Sequence, residues 1–347
     1  MPGAVGTCAV FLLLGALYSF GSVAFTVCLI PPLIWIVWLT QPAAPVNCKG
    51  RAVLITGCDT GFGHILAKQL DGLGFRVFAG CLSPDGPGAQ GLKKECSSQL
   101  SILKLDVTLD EDVNKVKEFV EANLPAEGLW GLVNNAGISG WGEVEWNNIQ
   151  VYQRHADVNL WGSIRMTLSF IPLVRQCKGR FIFISSMSAY IHSPACSTYV
   201  ITKCGIEAFS DCFRLEMKKF GVKVSVIEPG NYASTTNILK VQTTEEVWNE
   251  LNDPVKRLYS KEYIQLLIDE VENIMSSKPR NPTDVTNAIM EALISPNPKA
   301  RYLVVSMAER VIIFMCVHFP TWFSDAFFCS LKVLRKQKAL IGSQINN

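Results

Sequence analysis

A tyrosine and a lysine in the second half of the chain form a pair that could exchange a proton with an alcohol. Tyr199 and Lys203 are spaced as Y-x-x-x-K within residues 197–220, whose pattern predicts a helix. Residues four apart lie on one face of a helix, one turn from each other. A free tyrosine has a pKa of about 10, and a neighbouring ammonium group lowers it by favouring the phenolate. The pair is therefore a candidate for general acid–base catalysis.

Ser186 adds a hydroxyl group that could hold an alcohol oxygen in line with Tyr199. It ends the apolar run RFIFISS, and catalytic residues of an open α/β sheet lie just past the strands. A carbinol releases a hydride only if its hydroxyl proton leaves as well. The residues therefore indicate oxidation of an alcohol, or reduction of a ketone. Because Y-x-x-x-K alone is common on exposed helices, the assignment depends on other elements occurring in order.

A glycine-rich turn, TGCDTGFG, lies between a strand-like run and a helical pattern. Its glycines lack Cβ atoms where the backbone must turn tightly and approach a pyrophosphate. The following helix would supply N–H groups and the positive end of its dipole. We predict a dinucleotide-binding turn. Its predicted cofactor contacts are Thr56, Gly57, Asp59, Gly61, Phe62 and Gly63.

Seven strand-like runs alternate with helical patterns between residues 49 and 305. The runs are RAVLITG, FRVFAGC, LSILKLDV, LWGLVNNAG, RFIFISS, VKVSVIEPG and RYLVV. Helices are predicted up to residue 72 and over residues 110–123, 148–176, 197–220 and 282–294. Continuously apolar strands that alternate with helices predict a parallel sheet covered on both faces. The expected fold class is α/β, a Rossmann-type doubly wound sheet.

With these elements in order, the sequence resembles the short-chain dehydrogenase/reductase family over residues 49–305. TGCDTGFG, LWGLVNNAGIS, VNLWG, GIEAFSD and VIEPG are similar to the branch with retinol, 17β-hydroxysteroid and D-3-hydroxybutyrate dehydrogenases. FAGCL, GEVEW and SDCFRLEM resemble the hydroxybutyrate enzymes in particular. The resemblance implies that Asn159 completes a catalytic tetrad by positioning a water beside Lys203. It also implies cofactor contacts at Tyr199, Lys203, Asp106, Asn135, Ala136, Gly137, Pro229 and Gly230.

The choice between NAD and NADP depends on charge near the adenosine ribose. NADP sites place a basic residue beside the 2′-phosphate, whereas NAD sites use a carboxylate on the ribose. Here Asp59 lies in the glycine turn, and FAGCLS, at the end of the second strand, contains no Lys or Arg. We therefore expect NAD rather than NADP. Asp59 could also serve as a helix N-cap.

The N-terminal part predicts a membrane anchor. No charged residue precedes Lys49, and about 20 apolar residues suffice to span a bilayer as a helix. We expect a membrane helix over residues 7–30, then Pro31-Pro32 and an apolar segment over residues 33–39. Lys49 and Arg51 flank it on the C-terminal side, which favours a cytosolic catalytic domain. The expected location is the endoplasmic reticulum membrane, with a mitochondrial membrane as the alternative.

Three regions follow from these patterns. Residues 1–48 form the anchor and linker, and residues 49–305 form the catalytic domain, with a substrate region over 231–281. Residues 306–347 form an apolar extension with a basic tail, a second candidate for contact with the bilayer. The net charge of +2 gives no indication of nucleic-acid binding. Without a C-x-x-C pair, the twelve cysteines and four histidines predict no metal site. The chain is also a candidate for homo-oligomerisation.

Three functions remain open at this point. The first is hydride transfer between a nicotinamide cofactor and a lipophilic alcohol or ketone, such as a hydroxysteroid or a retinoid. The second is oxidation of D-3-hydroxybutyrate, which needs a cation in the pocket that the sequence does not identify. Arg154, on the long predicted helix, is interpreted as solvated or salt-bridged. The third is a membrane scaffold without activity, which the intact Ser186, Tyr199 and Lys203 argue against.

Overall fold

The structure, a computed structural model, describes residues 46–236, 238–276 and 279–330. The predicted membrane helix over residues 7–30, the apolar segment over 33–39 and the basic tail beyond residue 330 lie outside these ranges. Within the described ranges, no helix combines the length and the apolar character that crossing a bilayer requires.

A single parallel sheet of seven strands organises the catalytic domain, in the order β3-β2-β1-β4-β5-β6-β7. The strands are β1 (Ala52–Thr56), β2 (Arg76–Cys81), β3 (Leu100–Lys104), β4 (Leu129–Asn134), β5 (Arg180–Ile184), β6 (Lys223–Pro229) and β7 (Arg301–Val304). All seven predicted strands are confirmed. The strand order reverses between β1 and β4, and ligands of such sheets bind at the carboxyl ends of the strands beside this reversal.

Helices cover both faces of the sheet. They are α1 (Gly61–Gly72), α2 (Pro87–Glu95), α3 (Asp110–Ala122), α4 (Ile149–Ala156), α5 (Ser163–Gln176), α6 (Ser197–Met217), α7 (Thr244–Glu250), α8 (Asp253–Lys256), α9 (Lys261–Met275), α10 (Thr283–Ile294), α11 (Met307–His318) and α12 (Thr321–Ser330). Helices α1 and α10 share one hydrophobic core with the sheet. Helices α3, α5 and α6 share the core on the other face. The doubly wound arrangement is confirmed.

Strand β1 shows why these runs are apolar without alternation. Val53 and Ile55 point into the core that contains α1, while Ala52 and Leu54 point into the core that contains α3. Side chains of a strand alternate between the two faces of a sheet, so a strand covered on both faces needs apolar residues throughout.

The long predicted helix over residues 148–176 is interrupted. Asn148 caps α4 by accepting a hydrogen bond from the Val151 amide, and a π-helical segment, Asp157–Gly162, separates α4 from α5. Hydrophobic periodicity did not reveal this segment, because one wider turn changes the spacing of the side chains only locally. Single π turns occur often at functional sites, and this one contains Asn159.

The predicted substrate region, residues 231–281, contains the short helices α7 and α8 and the longer helix α9. Each begins at a side-chain cap: Thr243, Asn252 and Ser260, respectively. Apolar residues of the three helices form a small core of their own: Val247, Leu251, Val255, Ile264 and Ile268. Helices α7 and α8, with 7 and 4 residues, are too short to show a helical period in the sequence. Helix α9 has 15 residues, and its buried Ile264, Leu267 and Ile268 have helical spacing, so a signal for it was present and was missed.

Candidate active site

Three glycines shape the turn between β1 and α1. Gly57 and Gly61 have φ of +70° and +62°, a backbone region that strongly favours glycine. A Cβ atom on Gly63 would lie 2.4 Å from the carbonyl oxygen of Gly57, so no side chain fits there. Among the described residues, the N-cap Thr60 makes no side-chain hydrogen bond to the first turn of α1. The turn is therefore a cradle whose free helix N-terminus suits a pyrophosphate.

The turn is tied to the end of β4. The Thr56 hydroxyl accepts hydrogen bonds from the amides of Asn135 (3.0 Å) and Ala136 (2.9 Å). In return, the side-chain amide of Asn135 donates to the carbonyls of Thr56 (2.8 Å) and Gly57 (3.0 Å). These bonds hold together the two strands beside the reversal point.

Asp59 is not the N-cap of α1. Its carboxylate accepts hydrogen bonds from the amides of Leu82 (2.8 Å) and Ser83 (2.9 Å), just after β2. The cap interpretation is wrong because Thr60 holds that position. Asp59 instead places a negative charge where the glycine turn meets the end of β2.

The other predicted cofactor contacts lie at the ends of neighbouring strands. Past β3, the Asp106 carboxylate accepts hydrogen bonds from the amide (2.9 Å) and hydroxyl (2.7 Å) of Thr108. At the end of β6, the Gly230 amide donates to the Val304 carbonyl (2.9 Å). Pro229, the last residue of β6, lies beside it.

Ser186, Tyr199 and Lys203 meet at the carboxyl end of β5. The Ser186 hydroxyl accepts a hydrogen bond from the Ser188 amide at 3.1 Å. Burial raises the pKa of Tyr199 to about 12, against the lowering effect of its hydrogen bond with Ser186. The Lys203 ammonium lies 5.4 Å from the centre of the Tyr199 ring. The grouping has the hydroxyls and the cation that proton transfer to or from an alcohol requires.

Lys203 is almost completely enclosed. It is 4% exposed, and its ammonium donates a hydrogen bond to the Ile184 carbonyl at 2.9 Å. Burial lowers the pKa of Lys203 to about 8, while the negative charge of Glu207, one turn later, acts to raise it. Because this pKa is close to neutral, small changes around Lys203 alter the fraction of the side chain that carries a charge.

Asn159 lies in the π-helical segment and holds the chain next to Lys203. Its side-chain oxygen accepts from the Ile138 amide (2.8 Å), and its amide group donates to the Ile138 carbonyl (2.8 Å) and the Thr202 hydroxyl (3.0 Å). The position of a Cβ on Gly137 would be 3.4 Å from the Asn159 oxygen and 3.8 Å from the Lys203 ammonium. The sequence did not single out Thr202, because a threonine within a helix has no distinctive signal.

These residues surround one cavity of about 1330 Å³. Most of the predicted site residues line it: Gly57, Asp59, Gly61, Phe62, Asp106, Asn135, Ala136, Gly137, Ser186, Tyr199, Lys203, Pro229 and Gly230. Thr56, Gly63 and Asn159 are not among the lining residues. They support the wall through the hydrogen bonds and the close backbone approach described above.

The cavity continues past Tyr199 into a part whose lining residues were not predicted from the sequence. Apolar lining residues there are Trp141, Ile238, Leu239, Leu267, Val271 and Phe328. Charged lining residues include Glu143, Arg154, Glu270 and Glu309. Only Glu309 had a usable sequence signal, since Ser306 and Glu309 form an S-x-x-E capping pattern.

Comparisons with known proteins agree with this architecture. The profile of the short chain dehydrogenase family matches residues 51–246. The chain is 43% identical over 288 residues to the mitochondrial D-beta-hydroxybutyrate dehydrogenase of Rattus norvegicus, covering 81% of this chain and 84% of that protein. It is 39% identical over 278 residues to estradiol 17-beta-dehydrogenase 2 of Rattus norvegicus, covering 78% and 71%. It is 37% identical over 284 residues to retinol dehydrogenase 7 of Mus musculus, covering 81% and 88%.

Solved structures show the same fold. A short chain dehydrogenase/reductase from Burkholderia phymatum in complex with NAD aligns with a TM-score of 0.63 at 16% identity, over 78% of this chain and 93% of that one. A short chain dehydrogenase from Burkholderia cenocepacia in complex with NADP aligns with a TM-score of 0.61 at 17% identity, over 82% and 100%. The chain belongs to the short-chain dehydrogenase/reductase family, in the branch of hydroxybutyrate, retinol and estradiol dehydrogenases, and is an oxidoreductase that acts on CH–OH groups.

Proposed function

We propose that the protein transfers a hydride between NAD and a lipophilic alcohol or ketone of the hydroxysteroid or retinoid type, with Tyr199 as the proton-transfer residue. The observation that carries this proposal is the single cavity that joins the glycine turn to Ser186, Tyr199 and Lys203 and then continues between apolar side chains.

The residues of the cavity fit a dinucleotide. Gly57 and Gly61 form a tight turn, Gly63 lets α1 pack against that turn, and the first turn of α1 offers its amides to a pyrophosphate. Asp106 borders the expected position of the adenine. Pro229 and Gly230 border the cavity at the end of β6, where the nicotinamide would lie.

During alcohol oxidation, Ser186 would orient the substrate hydroxyl and Tyr199 would accept its proton. When bound, the oxidised nicotinamide supplies the hydride acceptor and a positive charge. The carbinol C–H bond breaks as the carbonyl double bond forms, so the proton and the hydride leave to different acceptors. Lys203, whose ammonium lies 5.4 Å from the centre of the Tyr199 ring, would stabilise the phenolate by its positive charge. Asn159 keeps the chain at Ile138 in place beside Lys203.

The preference for NAD is supported by the position of Asp59. Its carboxylate lies where the glycine turn meets the amides of Leu82 and Ser83. A negative charge there repels a 2′-phosphate. The described cations that line the cavity are Arg154 and Lys203, and neither lies in the glycine turn or at the end of β2.

The substrate class is supported by the part of the cavity beyond Tyr199. Its apolar walls suit a lipophilic alcohol, and Glu143 and Glu270 in the same wall disfavour a small carboxylate. Retinol dehydrogenase 7 and estradiol 17-beta-dehydrogenase 2, the relatives described above, carry names that refer to such alcohols.

D-3-hydroxybutyrate is the second candidate. It is favoured by the 43% identity to the rat hydroxybutyrate enzyme and by Arg154. The sequence identified no cation for a substrate carboxylate, whereas the structure places Arg154 in the cavity wall. Arg154 is exposed, so its charge is shared with water, which weakens its hold on a carboxylate.

A membrane location belongs to the same proposal. We infer that the apolar N-terminal run anchors the protein in the endoplasmic reticulum membrane with its catalytic domain in the cytosol. Helices α11 and α12 support a further bilayer contact, because they expose Met307 (75%), Phe314 (56%) and Trp322 (68%). An exposed apolar surface of this kind marks an interaction site.

Turnover by the purified full-length protein tests the proposal. NAD and NADP are each offered with estradiol, retinol and D-3-hydroxybutyrate, and formation of the reduced cofactor is followed. We expect higher kcat/KM with NAD, and with estradiol or retinol rather than the hydroxy acid. Turnover of the hydroxy acid alone would establish the second candidate.

Tyr199→Phe is the matched control for the chemistry. It should keep the fold and NAD binding but lose at least about 100-fold in kcat, since it removes only the ionisable oxygen. Near-wild-type activity of this variant would refute the assignment of Tyr199 as the proton-transfer residue.

A further inference from the structure

Helix α11, in the apolar extension, is connected by one carboxylate to the chain segment that follows β6. Glu309 accepts a hydrogen bond from the Asn231 amide at 3.0 Å and another from the Ser306 amide at 2.7 Å. It also forms an ion pair with Arg280 at 2.7 Å. Glu309 therefore joins three separate parts of the chain: the residue after Gly230, the segment that precedes α10 and the start of α11.

The ion pair packs directly against Gly230. A Cβ atom placed there would lie 2.6 Å from the Arg280 guanidinium and 2.7 Å from the Glu309 carboxylate. Gly230, Asn231 and Glu309 all line the cavity. The pair thus supports the backbone at the position that the proposed nicotinamide site needs.

The contacts extend from Arg280 to the glycine turn. The Arg280 guanidinium lies 5.5 Å from the centre of the Tyr232 ring, and the edge of that ring meets Phe62 at 5.5 Å between centroids. Phe62 belongs to the turn that would hold the pyrophosphate. A change at Glu309 can therefore affect both the nicotinamide part and the pyrophosphate part of the cofactor site.

The carboxylate is enclosed and ionised. The Glu309 side chain is 12% exposed. Burial alone would raise the pKa of Glu309, but hydrogen bonds from Asn231, Ser306 and Arg280 bring it below its ordinary value. Removing an acceptor of this kind leaves enclosed N–H groups unpaired, which is costly.

We propose that Glu309 is a positioning residue that holds residues 229–232 in the conformation that borders the nicotinamide. Helix α11 then helps to shape the cofactor site, because it carries Glu309. This inference rests on the proposed use of NAD.

The same chain contains a matched control for helix capping. Glu246 on α7 forms a capping box with Thr243, as Glu309 does with Ser306 on α11. Among the described residues, the hydrogen bonds of the Glu246 carboxylate go to Thr243, and Glu246 is absent from the cavity lining. Glu246→Gln therefore reports the effect of a weakened cap without the contact to the cofactor segment.

The test compares full-length wild type, Glu309→Gln, Arg280→Gln and Glu246→Gln. The dissociation constant of NAD is measured by calorimetry, together with kcat, both KM values and the melting temperature without cofactor. We expect Glu309→Gln to weaken NAD binding about tenfold, or 1.4 kcal/mol, with the KM of the alcohol within about twofold of wild type. Arg280→Gln, which keeps the hydrogen bond to Asn231, should have a smaller effect, and Glu246→Gln none.

The outcomes separate this inference from the proposed function. Equal NAD affinity of Glu309→Gln and Glu246→Gln, with a wild type that binds NAD, would overturn the role of Glu309 alone. An affinity that falls only in proportion to the melting temperature across the variants would also overturn it, because that pattern reports stability. A folded wild type without NAD binding would instead refute the proposed function.

Discussion

Lys203 illustrates how single residues of this site serve function at the expense of stability. Its ammonium is buried beside Tyr199, where burial lowers its pKa to about 8 from 10.5. A folded pKa below the unfolded one means that the unfolded chain binds more protons between pH 8 and 10.5. Stability from this group therefore rises with pH across that window, and its full penalty is present below pH 8.

The first prediction follows from this penalty. Lys203→Met should increase the free energy of unfolding at pH 7 by on the order of 2 kcal/mol without cofactor, while turnover is lost. The difference from wild type should shrink as the pH rises toward 10.5, where the lysine is neutral in both states. Urea unfolding of both proteins at a series of pH values measures it. A less stable variant at pH 7 would show that the hydrogen bond to Ile184 outweighs the burial of the charge.

Asp59 leads to a second prediction at this scale. Asp59→Asn removes the charge that opposes a 2′-phosphate but keeps one acceptor for the amides of Leu82 or Ser83. The ratio of kcat/KM for NAD to that for NADP should fall by about tenfold. Asp59→Ser should also lower the ratio of kcat/KM for NAD to that for NADP. It should lower the melting temperature as well, because the amides of Leu82 and Ser83 lose their acceptor. An unchanged ratio in both variants would show that the carboxylate does not select the cofactor.

Among the elements, the first βα unit leaves no room for an added side chain at the amino end of its helix. The amino end of α1 approaches the turn so closely that the position of a Cβ on Gly63 would be 2.4 Å from a backbone oxygen. Backbone atoms cannot rotate away as a flexible side chain would, so the helix itself would have to move. The other end of α1 has no such limit, since nothing lies within 4 Å of the Cβ position of Gly72.

These two glycines give a paired prediction for one helix. Gly63→Ala should destabilise the protein by about 1 to 3 kcal/mol through overpacking and should abolish measurable NAD binding. Gly72→Ala should leave NAD binding unchanged and alter stability by less than about 1 kcal/mol. Thermal unfolding and NAD titration of both variants measure these effects. NAD binding by Gly63→Ala at wild-type affinity would contradict the cradle described for the turn.

At the scale of the whole molecule, the strand order decides where chemistry is possible. The reversal between β1 and β4 leaves a crevice at the carboxyl ends of the strands, into which β1, β4, β5 and β6 each deliver site residues. Residues from 231–281 and from α11 and α12 then extend the cavity from the end of the sheet. Both contribute apolar side chains, Leu267 and Phe328 among them.

The last prediction concerns attachment to membranes. The full-length protein should sediment with microsomes and resist alkaline carbonate, and deletion of residues 1–39 should make its attachment sensitive to carbonate. Adding Phe314→Ser and Trp322→Ser to the deletion should reduce sedimentation further, because exposed apolar area on α11 and α12 is lost. Leu168→Ser on α5, where the leucine is 62% exposed, is the control with no effect. A full-length protein in the soluble fraction would refute the anchor, and protection of the catalytic domain from protease in intact microsomes would refute its cytosolic orientation.

The seven strands, the glycine turn and the pair Tyr199 and Lys203 could be predicted from the order of the amino acids alone. Each of these features depends on residues that are close in sequence. They are continuous apolar runs for strands buried on both faces, glycines where the backbone turns, and a spacing of four on a helix. Physical constraints of this kind act over a few residues, so they can be read without knowing the rest of the fold.

Contacts between segments that are distant in sequence became apparent only in the folded chain. Asp59 accepts hydrogen bonds from amides 23 and 24 residues away, and Glu309 accepts one from an amide 78 residues away. The placement of Arg154 in the cavity wall likewise depends on where α4 packs. Such pairs leave no local pattern, because each partner is an ordinary polar residue until folding brings the two together in an enclosed site where leaving either one unpaired would be costly.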